Sequence, residues 1–547
     1  MNKHFALTFF ALVFSVFINA QTFSKKAPQA KENIPLNTRQ EYSWWNTLHY
    51  TIDITPNYER RFLQGTNSIK FIALQSGKKL QIDLQEPMKI KRIIWKGKPV
   101  SFENKQKDEY VVSFPREIKA GETQTISVHF EGQPRAALKP PFDNGWIWAK
   151  DQKDRPWMSI ACEGSGASIW LPCKDVLYDE PDNGTLFSIT VPDTLTAVAN
   201  GKLKRKSINK NGKVSYTWEV VNPINSYNII PYIGKYVNWQ QDYAGLQGKL
   251  DCNFWVLDYS LDKAKGHLKQ TDTMLHAFEY WMGPYPFYKD GYKLVEAPMP
   301  GMEHQSAVAY GNGFINGYGG KDFISGSGWG LKWDFILVHE SGHEWFGNSI
   351  TSSNHGDTWI HEGFTKYLET LYTSYAFGNV AGNEYALGTW KRIKNDEPIL
   401  GSNTSDKYYK ASAMLHTIRQ ILGDSAFRGW LHGLNQTFYH QTVNTDQILN
   451  SLNQYTKKDF SKVFMQYLKT TQVPVLEYFF MKGELHYRWA NCVQGFAMPL
   501  SISVDNETFQ SINPTSQWQI LITPEVTLID LSIDKNYYVL IKKEEKV

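Results

Sequence analysis

The stretch that decides the fold of this chain reads HESGH at residues 339–343, and Glu362 follows nineteen residues after its second histidine. Histidines four residues apart lie on one face of a helix, so His339 and His343 can both reach a single metal ion. Catalytic zinc usually holds three protein ligands and one water, and Glu362 on a second helix is predicted to be the third ligand. Glu340 projects beside the metal, where its carboxylate can accept a proton from metal-bound water. Chance produces this spacing in about one chain in a thousand, so we predict a Zn²⁺ site with Glu340 as its general base.

The segment after Glu362 carries apolar side chains at helical spacing from Phe364 to Tyr375. Glu369 lies two helical turns beyond Glu362 and therefore shares its face. Metal-bound imidazoles usually donate their second ring N–H to a carboxylate or a carbonyl. Glu369 is therefore predicted to accept a hydrogen bond from a zinc-bound histidine, and a solvated helix face is the alternative for this carboxylate.

The first twenty residues have the pattern of a signal peptide. Lys3 precedes an apolar stretch over residues 5–18, and the small residue Ala20 stands before the expected cut. We predict a signal peptide over residues 1–20 and a polar leader over 21–40. No later run reaches eighteen apolar residues, so no transmembrane segment is expected, and we expect export to the periplasm or the extracellular space.

The charge balance and the cysteines exclude some classes of protein. The 547 residues carry a formal net charge of +4 with no basic run, so no nucleic-acid partner is expected. The four cysteines, Cys162, Cys173, Cys252 and Cys492, are too few for a disulfide scaffold, and none has C-x-x-C spacing. One or two disulfides and buried free thiols both remain open, because pairing cannot be read from the sequence.

Three regions with different periodicity follow one another along the chain. Apolar residues alternate with period two, as in residues 50–54, and predict an antiparallel β domain over 41–256. Helical stripes then predict a mainly helical domain over 257–475 that holds the metal site. Within it, the Gly/Ser-rich segment 311–330 is predicted to be a loop beside the site. Strand patterns return over 476–547 and predict a small β domain.

In the last region, the strand pattern is carried by Val526–Leu528 and Leu531–Ile533.

Two further motifs accompany the metal-binding pattern. PGMEH at 300–304 is similar to Gly-x-Met-Glu-Asn, and YYKA at 408–411 is similar to Tyr-x-Lys-Gly. Together with the metal motif, they resemble the zinc aminopeptidases of the aminopeptidase N and leukotriene hydrolase type, which are gluzincins. The resemblance extends over about residues 45–540. The chain departs from the first family motif at both ends, where Pro300 replaces Gly and His304 replaces Asn, and from the second at Ala411, which replaces Gly.

The resemblance assigns roles to residues beyond the metal ligands. Glu303, with Met302 retained beside it, corresponds to the position that holds the free amine of the substrate. Tyr408 is the candidate for transition-state stabilisation, and its neighbour Tyr409 is the alternative. Glu163 lies in a segment that resembles the one with a second amine-binding Glu or Gln. From the residues alone, Glu303 could cap a turn, Tyr408 could begin an amphipathic helix and Glu163 could end a strand.

The family also implies a fold and a substrate. The expected architecture is α+β and multidomain, with an N-terminal antiparallel β domain, a thermolysin-like, mainly helical catalytic domain and a small C-terminal β-sandwich-like domain. Peptides with a free N-terminal amine are the expected substrates, and no partner protein is implied. Longer members append a helical domain that roofs the cleft, and this chain is expected to lack it and to have a more open cleft. His304 is expected to alter the pH profile if it titrates near Glu303.

Three other functions fit part of the pattern. A zinc endopeptidase shares the metal ligands, but it would need neither Glu303 nor Glu163 and would cleave N-acetylated peptides. An epoxide hydrolase resembling the leukotriene enzyme is disfavoured because the C-terminal domain that enzyme uses is expected to be missing. A catalytically weak peptide-binding homologue would have lost a metal ligand or Glu340, and all of these residues are present.

Overall fold

This computed structural model describes residues 40–209, 211–505, 507–522 and 531–545. The predicted signal peptide, the leader up to residue 39 and the strand pattern at Val526–Leu528 lie outside the described residues. Among the helices in the described ranges, none combines the length and apolarity needed to cross a membrane.

The first region consists of strands, and long ones such as Trp45–Asn57 and Thr185–Pro192 bury alternate side chains over most of their length, as expected of a sheet with one solvated face. A short helix, α1 (Gln40–Ser43), precedes them. The strands are β1 Trp45–Asn57, β2 Phe62–Ala73, β3 Gly77–Asp83, β4 Lys89–Trp95, β5 Lys98–Gln106, β6 Glu109–Ile118, β7 Thr123–Gly132, β8 Gly145–Lys150, β9 Pro156–Ala161, β10 Thr185–Pro192, β11 Thr196–Val198, β12 Lys202–Asn209, β13 Lys213–Val220 and β14 Tyr232–Gly234.

Ten of these strands form one sheet in the order β12-β13-β10-β1-β2-β7-β4-β5-β6-β3. Its neighbours are antiparallel except β1 and β10, which run parallel with Tyr50 opposite Thr185. A second sheet has the order β11-β14-β9-β8. Glu163 stands two residues after the end of β9, so this second sheet sets its position.

A five-stranded sheet in the order β15-β16-β17-β19-β18 contains strands from both sides of the predicted domain boundary at residue 256. Its strands are β15 Tyr236–Gly245, β16 Gly248–Leu257, β17 Tyr292–Glu296, β18 Gly301–Met302 and β19 Val308–Tyr310. Strand β16 pairs in parallel with β17, so the strands before residue 257 share a sheet with strands of the catalytic region. The domain boundaries stay a prediction. Strand β18 carries Met302 at the edge of this sheet, and Glu303 follows it.

The catalytic region is mainly helical. Its helices are α2 Leu261–His267, α3 Gln270–Met282, α4 Phe335–Gly342, α5 Trp359–Phe377, α6 Asn379–Thr389, α7 Asp406–Leu422, α8 Asp424–Thr437, α9 Thr445–Thr456 and α10 Ser461–Lys469, and the short strands β20 Ile350–Ser352 and β21 Gln441–Val443 pair in parallel. The glycine-rich segment 311–330 runs from β19 towards α4 without a long helix or strand, as the sequence predicts.

Helix α4 begins at a buried N-cap. The Asp334 carboxylate accepts a hydrogen bond from the backbone N–H of Leu337 at 3.1 Å, which satisfies a donor that a helix start leaves unpaired. Tyr310 on β19 donates to the same carboxylate at 2.6 Å, and His267 Nε2 lies 2.7 Å from it. This network ties α4 to the five-stranded sheet, so His339 stands on a fixed helix and His343 is the C-cap residue at its end.

Helices α5 and α7 approach each other closely at a glycine. A Cβ atom on Gly363 would lie 2.6 Å from the Cβ of Ala411, closer than packed side chains allow. The absence of a side chain at Gly363 therefore permits this approach. It brings Tyr408, at the start of α7, beside Glu362 on α5.

The C-terminal region consists of two small sheets, in the orders β26-β23-β22-β28 and β25-β24-β27. The strands are β22 Val475–Met481, β23 Glu484–Ala490, β24 Leu500–Ser503, β25 Phe509–Ile512, β26 Gln519–Ile522, β27 Ser532–Ile533 and β28 Leu540–Lys543. Their buried side chains belong to the same hydrophobic cluster as the catalytic helices. The predicted α+β arrangement of a β-rich region, a helical region and a final β region is confirmed.

All four cysteines of the chain are free thiols: Cys162, Cys173 and Cys252 are buried, and Cys492 is partly exposed. Of the two possibilities that the sequence leaves open, the structure has the free thiols.

Candidate active site

The two motif histidines and Glu362 point ligand atoms at one place. Glu362 Oε2 lies 3.6 Å from His343 Nε2 and 4.0 Å from His339 Nε2. The other ring nitrogens are held elsewhere, since His339 Nδ1 lies 2.8 Å from a Glu369 oxygen and His343 Nδ1 lies 3.0 Å from the Phe346 carbonyl. Both Nε2 atoms are therefore directed at the space in front of Glu362.

Zinc fits this arrangement. Glu362 Oε2 is buried without a hydrogen-bond partner among the described residues, which is costly for a carboxylate unless a cation pairs with it. Two imidazoles and one carboxylate are a usual set for catalytic zinc. Ligand atoms of His339, Glu340 and His343 also lie within 4.8 Å of one another. Glu362 Oε2 lies within 4.0 Å of both imidazoles and is assigned as the third ligand, while the contact of Glu340 with a metal-bound water stays a prediction.

Glu369 holds the ring of His339 from behind. It is fully buried, and it accepts hydrogen bonds from Lys366 Nζ at 2.7 Å and from the Tyr385 hydroxyl at 2.5 Å. Burial favours the neutral acid, but the charge of Lys366 and the contact with His339 outweigh it and lower the pKa of Glu369. An ionised Glu369 fixes the tautomer that leaves His339 Nε2 free, which supports the role predicted for it.

Tyr408 and Tyr409 both line the cleft, but they have different contacts. The Tyr408 hydroxyl donates to Glu362 Oε1 at 2.6 Å. The ring of Tyr409 instead lies 5.3 Å from the Lys366 ammonium, on the side of the buried ion pair with Glu369. The contact with a metal-site residue favours Tyr408 as the tyrosine that acts on the substrate.

Glu303 and Glu163 line the same cleft as the histidines. Tyr227 donates to Glu303 Oε1 at 3.1 Å, and Asn348 donates to the Glu303 carbonyl at 2.8 Å. Burial, followed by the charge of Glu362, raises the pKa of Glu303 to about 7. The charge of Glu303, followed by burial, raises the pKa of Glu163 to about 8. Carboxylates that repel each other in this way bind a cation favourably.

His304 braces the Glu303 segment from inside the protein. Its Nδ1 lies 2.5 Å from the Tyr232 hydroxyl, which also donates to the Ala307 carbonyl at 2.7 Å. Burial lowers the pKa of His304 to about 3, so its ring is neutral throughout the range in which peptidases work. The condition on which a pH effect of His304 depends, titration near Glu303, is therefore not met, because the ring is fully buried and neutral.

The cleft has a volume of about 890 Å³, and Met302 contributes to its wall. One wall is a column of stacked rings that begins at the metal site. Phe335 stacks on His339 at 5.2 Å, Tyr318 on Phe335 at 5.1 Å, and Phe323 lies 5.2 Å from Tyr318. No motif in the sequence distinguishes these aromatic residues, although Tyr318 and Phe323 lie in the glycine-rich segment that is predicted to be a loop beside the site.

Comparison with known proteins identifies the class of protein that carries this site. Residues 267–467 match the peptidase family M1 domain, and residues 46–228 match the peptidase M1 N-terminal domain. The chain belongs to peptidase family M1.

The relatives that the chain matches are distant in sequence, but the matches extend over most of the chain. Leukotriene A-4 hydrolase of Xenopus laevis is 22% identical over 76% of this chain and 69% of its own length. Human endoplasmic reticulum aminopeptidase 1 is 21% identical over 73% of this chain, and human aminopeptidase B is 23% identical over 66%. The chain spans only 44% and 55% of the lengths of these two human proteins.

Solved structures share the fold. An M1 zinc metallopeptidase from Deinococcus radiodurans superposes with a TM-score of 0.67 at 21% identity, over 79% of this chain and 94% of that one. A mutant of the Deinococcus enzyme was solved with a Tyr-Ser-Ala substrate, and it has the same TM-score at 20% identity. The predicted family, the zinc cofactor and the class of enzyme, a zinc metallopeptidase with aminopeptidase relatives, are confirmed.

Proposed function

We propose that this chain is an exported zinc aminopeptidase that removes the first residue from peptides with a free N-terminal amine. The observation that carries the proposal is the carboxylate pair of Glu163 and Glu303 beside the metal site. Any zinc peptidase of this kind needs the metal ligands and a general base, but an enzyme that binds the free amine of its substrate also needs acidic groups in its cleft to hold that amine. The signal-peptide pattern of residues 1–20 supports export.

The pair selects for an ammonium group by charge. The substrate amine relieves the repulsion that raises the pKa of Glu163, and it gains charge-assisted hydrogen bonds to both carboxylates. The Tyr227 hydroxyl occupies one oxygen of Glu303, which orients the other towards the cleft. With its amine held there, a peptide presents its first carbonyl to the metal site.

The remaining residues then act on that carbonyl. His339, His343 and Glu362 would hold the zinc, which when bound would lower the pKa of a water to around 7 and polarise the peptide carbonyl. Glu340 accepts the proton of the attacking water and donates it to the leaving amine. Tyr408 turns its hydroxyl from Glu362 towards the oxygen that becomes negative in the transition state.

Tyr408→Phe tests the assignment of the tyrosine. An oxyanion donor is worth roughly 3 kcal/mol, so we expect kcat to fall about a hundredfold while KM and zinc content stay close to wild type. Steady-state kinetics on an aminoacyl anilide measures this. Tyr409→Phe is the matched control and should keep its activity. If Tyr409→Phe shows the loss and Tyr408→Phe does not, the assignment is wrong by one residue.

Blocking the substrate amine tests the function itself. We expect an acetyl cap to reduce kcat/KM of the wild-type enzyme by about 10- to 100-fold or more, because hydrogen bonds to charged groups contribute about 1.5–3 kcal/mol. Glu303→Gln, which keeps the shape and the Tyr227 contact, should cause a similar loss on free-amine peptides and little further loss on capped ones. Equal cleavage of capped and free peptides would refute the amine site and favour an endopeptidase.

A further inference from the structure

Lys407 is a cation in the wall of the cleft that pairs with no acidic group among the described residues. It stands in the first turn of α7, is partly buried, and its Nζ donates to the Asn403 side chain at 3.3 Å. The other lysine of the cleft, Lys366, has a carboxylate partner, since it contacts Glu369 at 2.7 Å. Lys407 therefore retains a charge that the protein leaves uncompensated by direct contact.

The charge of Lys407 lies at the amine end of the cleft. Repulsion by Glu303 raises the pKa of Glu163, and Lys407 opposes that rise. Burial raises the pKa of Glu303 and of Glu362, and Lys407 opposes both of these rises as well. Its ammonium also lies 5.5 Å from the centre of the Tyr408 ring. These neighbours surround the place where the first residue of a peptide would lie.

A cation in this position works against the binding of an ammonium group. The positive charge of Lys407 repels the substrate amine that Glu163 and Glu303 attract, unless the substrate also brings a negative group. Polar side chains line the cleft as well, namely Ser402, Asn403 and His355, and Asn403 is the one that contacts Lys407 directly. Polar groups of this kind can hydrogen-bond a carboxylate together with the ammonium.

We propose that Lys407 is a specificity-determining residue that selects peptides whose first residue is Asp or Glu. Its ammonium pairs with the side-chain carboxylate while Glu163 and Glu303 hold the amine. The attraction between Lys407 and this carboxylate then outweighs the repulsion between Lys407 and the substrate amine. This inference rests on the proposed aminopeptidase function and names its substrate class.

A carboxylate can also come from the C-terminus of a short peptide, and the chemistry at Lys407 would be the same. The position of Lys407 beside the amine-binding acids favours the side chain of the first residue. Two pairs of substrates separate these sources: Glu-Ala-Ala-amide against Gln-Ala-Ala-amide, and Ala-Ala-Ala with a free against an amidated C-terminus. In the first pair, shape is constant and only the charge at the first residue changes.

We expect wild-type kcat/KM to be about tenfold or more higher for the Glu peptide than for the Gln peptide. Lys407→Met should abolish this preference, lowering the rate on the Glu peptide and leaving the Gln peptide equal or better. Lys407→Arg should preserve the preference. Lys458→Met, at an exposed lysine between α9 and α10, is the surface control and should match the wild type.

Three results would overturn the inference. Equal wild-type rates on the Glu and Gln peptides would show that Lys407 does not read the first side chain. An equal loss on both peptides in Lys407→Met would mean that the lysine acts on Tyr408 or on folding. If the enzyme discriminates only between free and amidated C-termini, Lys407 binds the C-terminal carboxylate of the peptide and not the side chain of its first residue. If no free-amine peptide is cleaved at all, the proposed function fails instead.

Discussion

Glu340→Gln is expected to lower kcat by about 10²–10⁴-fold while the protein keeps one zinc per chain. The amide has the size and the reach of the carboxylate but cannot accept the proton of the attacking water. Space around this side chain is limited, because a Cβ on Gly301 would lie 2.7 Å from Glu340 Oε1. The isosteric change therefore separates chemistry from packing. Turnover of an aminoacyl anilide, zinc content and thermal unfolding of the same preparation measure the three quantities.

Glu397→Gln, at an exposed acid, is the matched control and should retain wild-type turnover. Full activity in Glu340→Gln would refute the general-base mechanism. A loss of zinc together with activity would instead make Glu340 a metal ligand. This is the competing assignment, because a Glu340 oxygen lies within 4.8 Å of ligand atoms of His339 and His343.

Glu362→Ala is expected to lose most of the bound zinc and, with it, nearly all activity. The change removes one of three protein ligands, and the two remaining imidazoles do not form the usual catalytic set. It also removes the acceptor of the Tyr408 hydroxyl, so the loss includes a second contact. Zinc content after dialysis, alongside kcat, measures the effect. In the wild type, a strong chelator should abolish activity, and added zinc should restore it.

Tyr408→Phe is the control for this second contact, since it breaks the bond to Glu362 but leaves all three ligands in place. It should retain its zinc through the same dialysis. If Glu362→Ala retains zinc as well as Tyr408→Phe does, the third ligand is another residue.

The metal site could be predicted from the sequence because its geometry is local. The four-residue spacing that places His339 on α4 and His343 at its C-cap, and the spacing of Glu362 and Glu369 on α5, follow from 3.6 residues per turn. Only the docking of the two helices had to be supplied by the fold. The same periodicity identified Tyr408 as the start of a helix, and the family resemblance gave it a role.

Contacts between distant segments could not be predicted in this way. Tyr227 reaches Glu303 across 76 residues, and Tyr232 reaches His304 across 72. Both depend on how the β-rich region packs against the catalytic region, and nothing in the sequence near either tyrosine distinguishes it from other buried aromatic residues. The neutral state of His304 also follows from burial, which the motif alone does not reveal.

The free thiols have a consequence for how the protein can be made. Because none of the four cysteines is paired, the native state contains no covalent cross-link that an oxidising compartment must supply. We therefore expect chains produced in a reducing bacterial cytosol to reach the same fold and to bind the same metal. The reductant in the buffer is best a phosphine, since small thiols compete for zinc. Keeping the buried thiols of Cys162, Cys173 and Cys252 reduced guards against disulfides between chains when heating exposes these thiols.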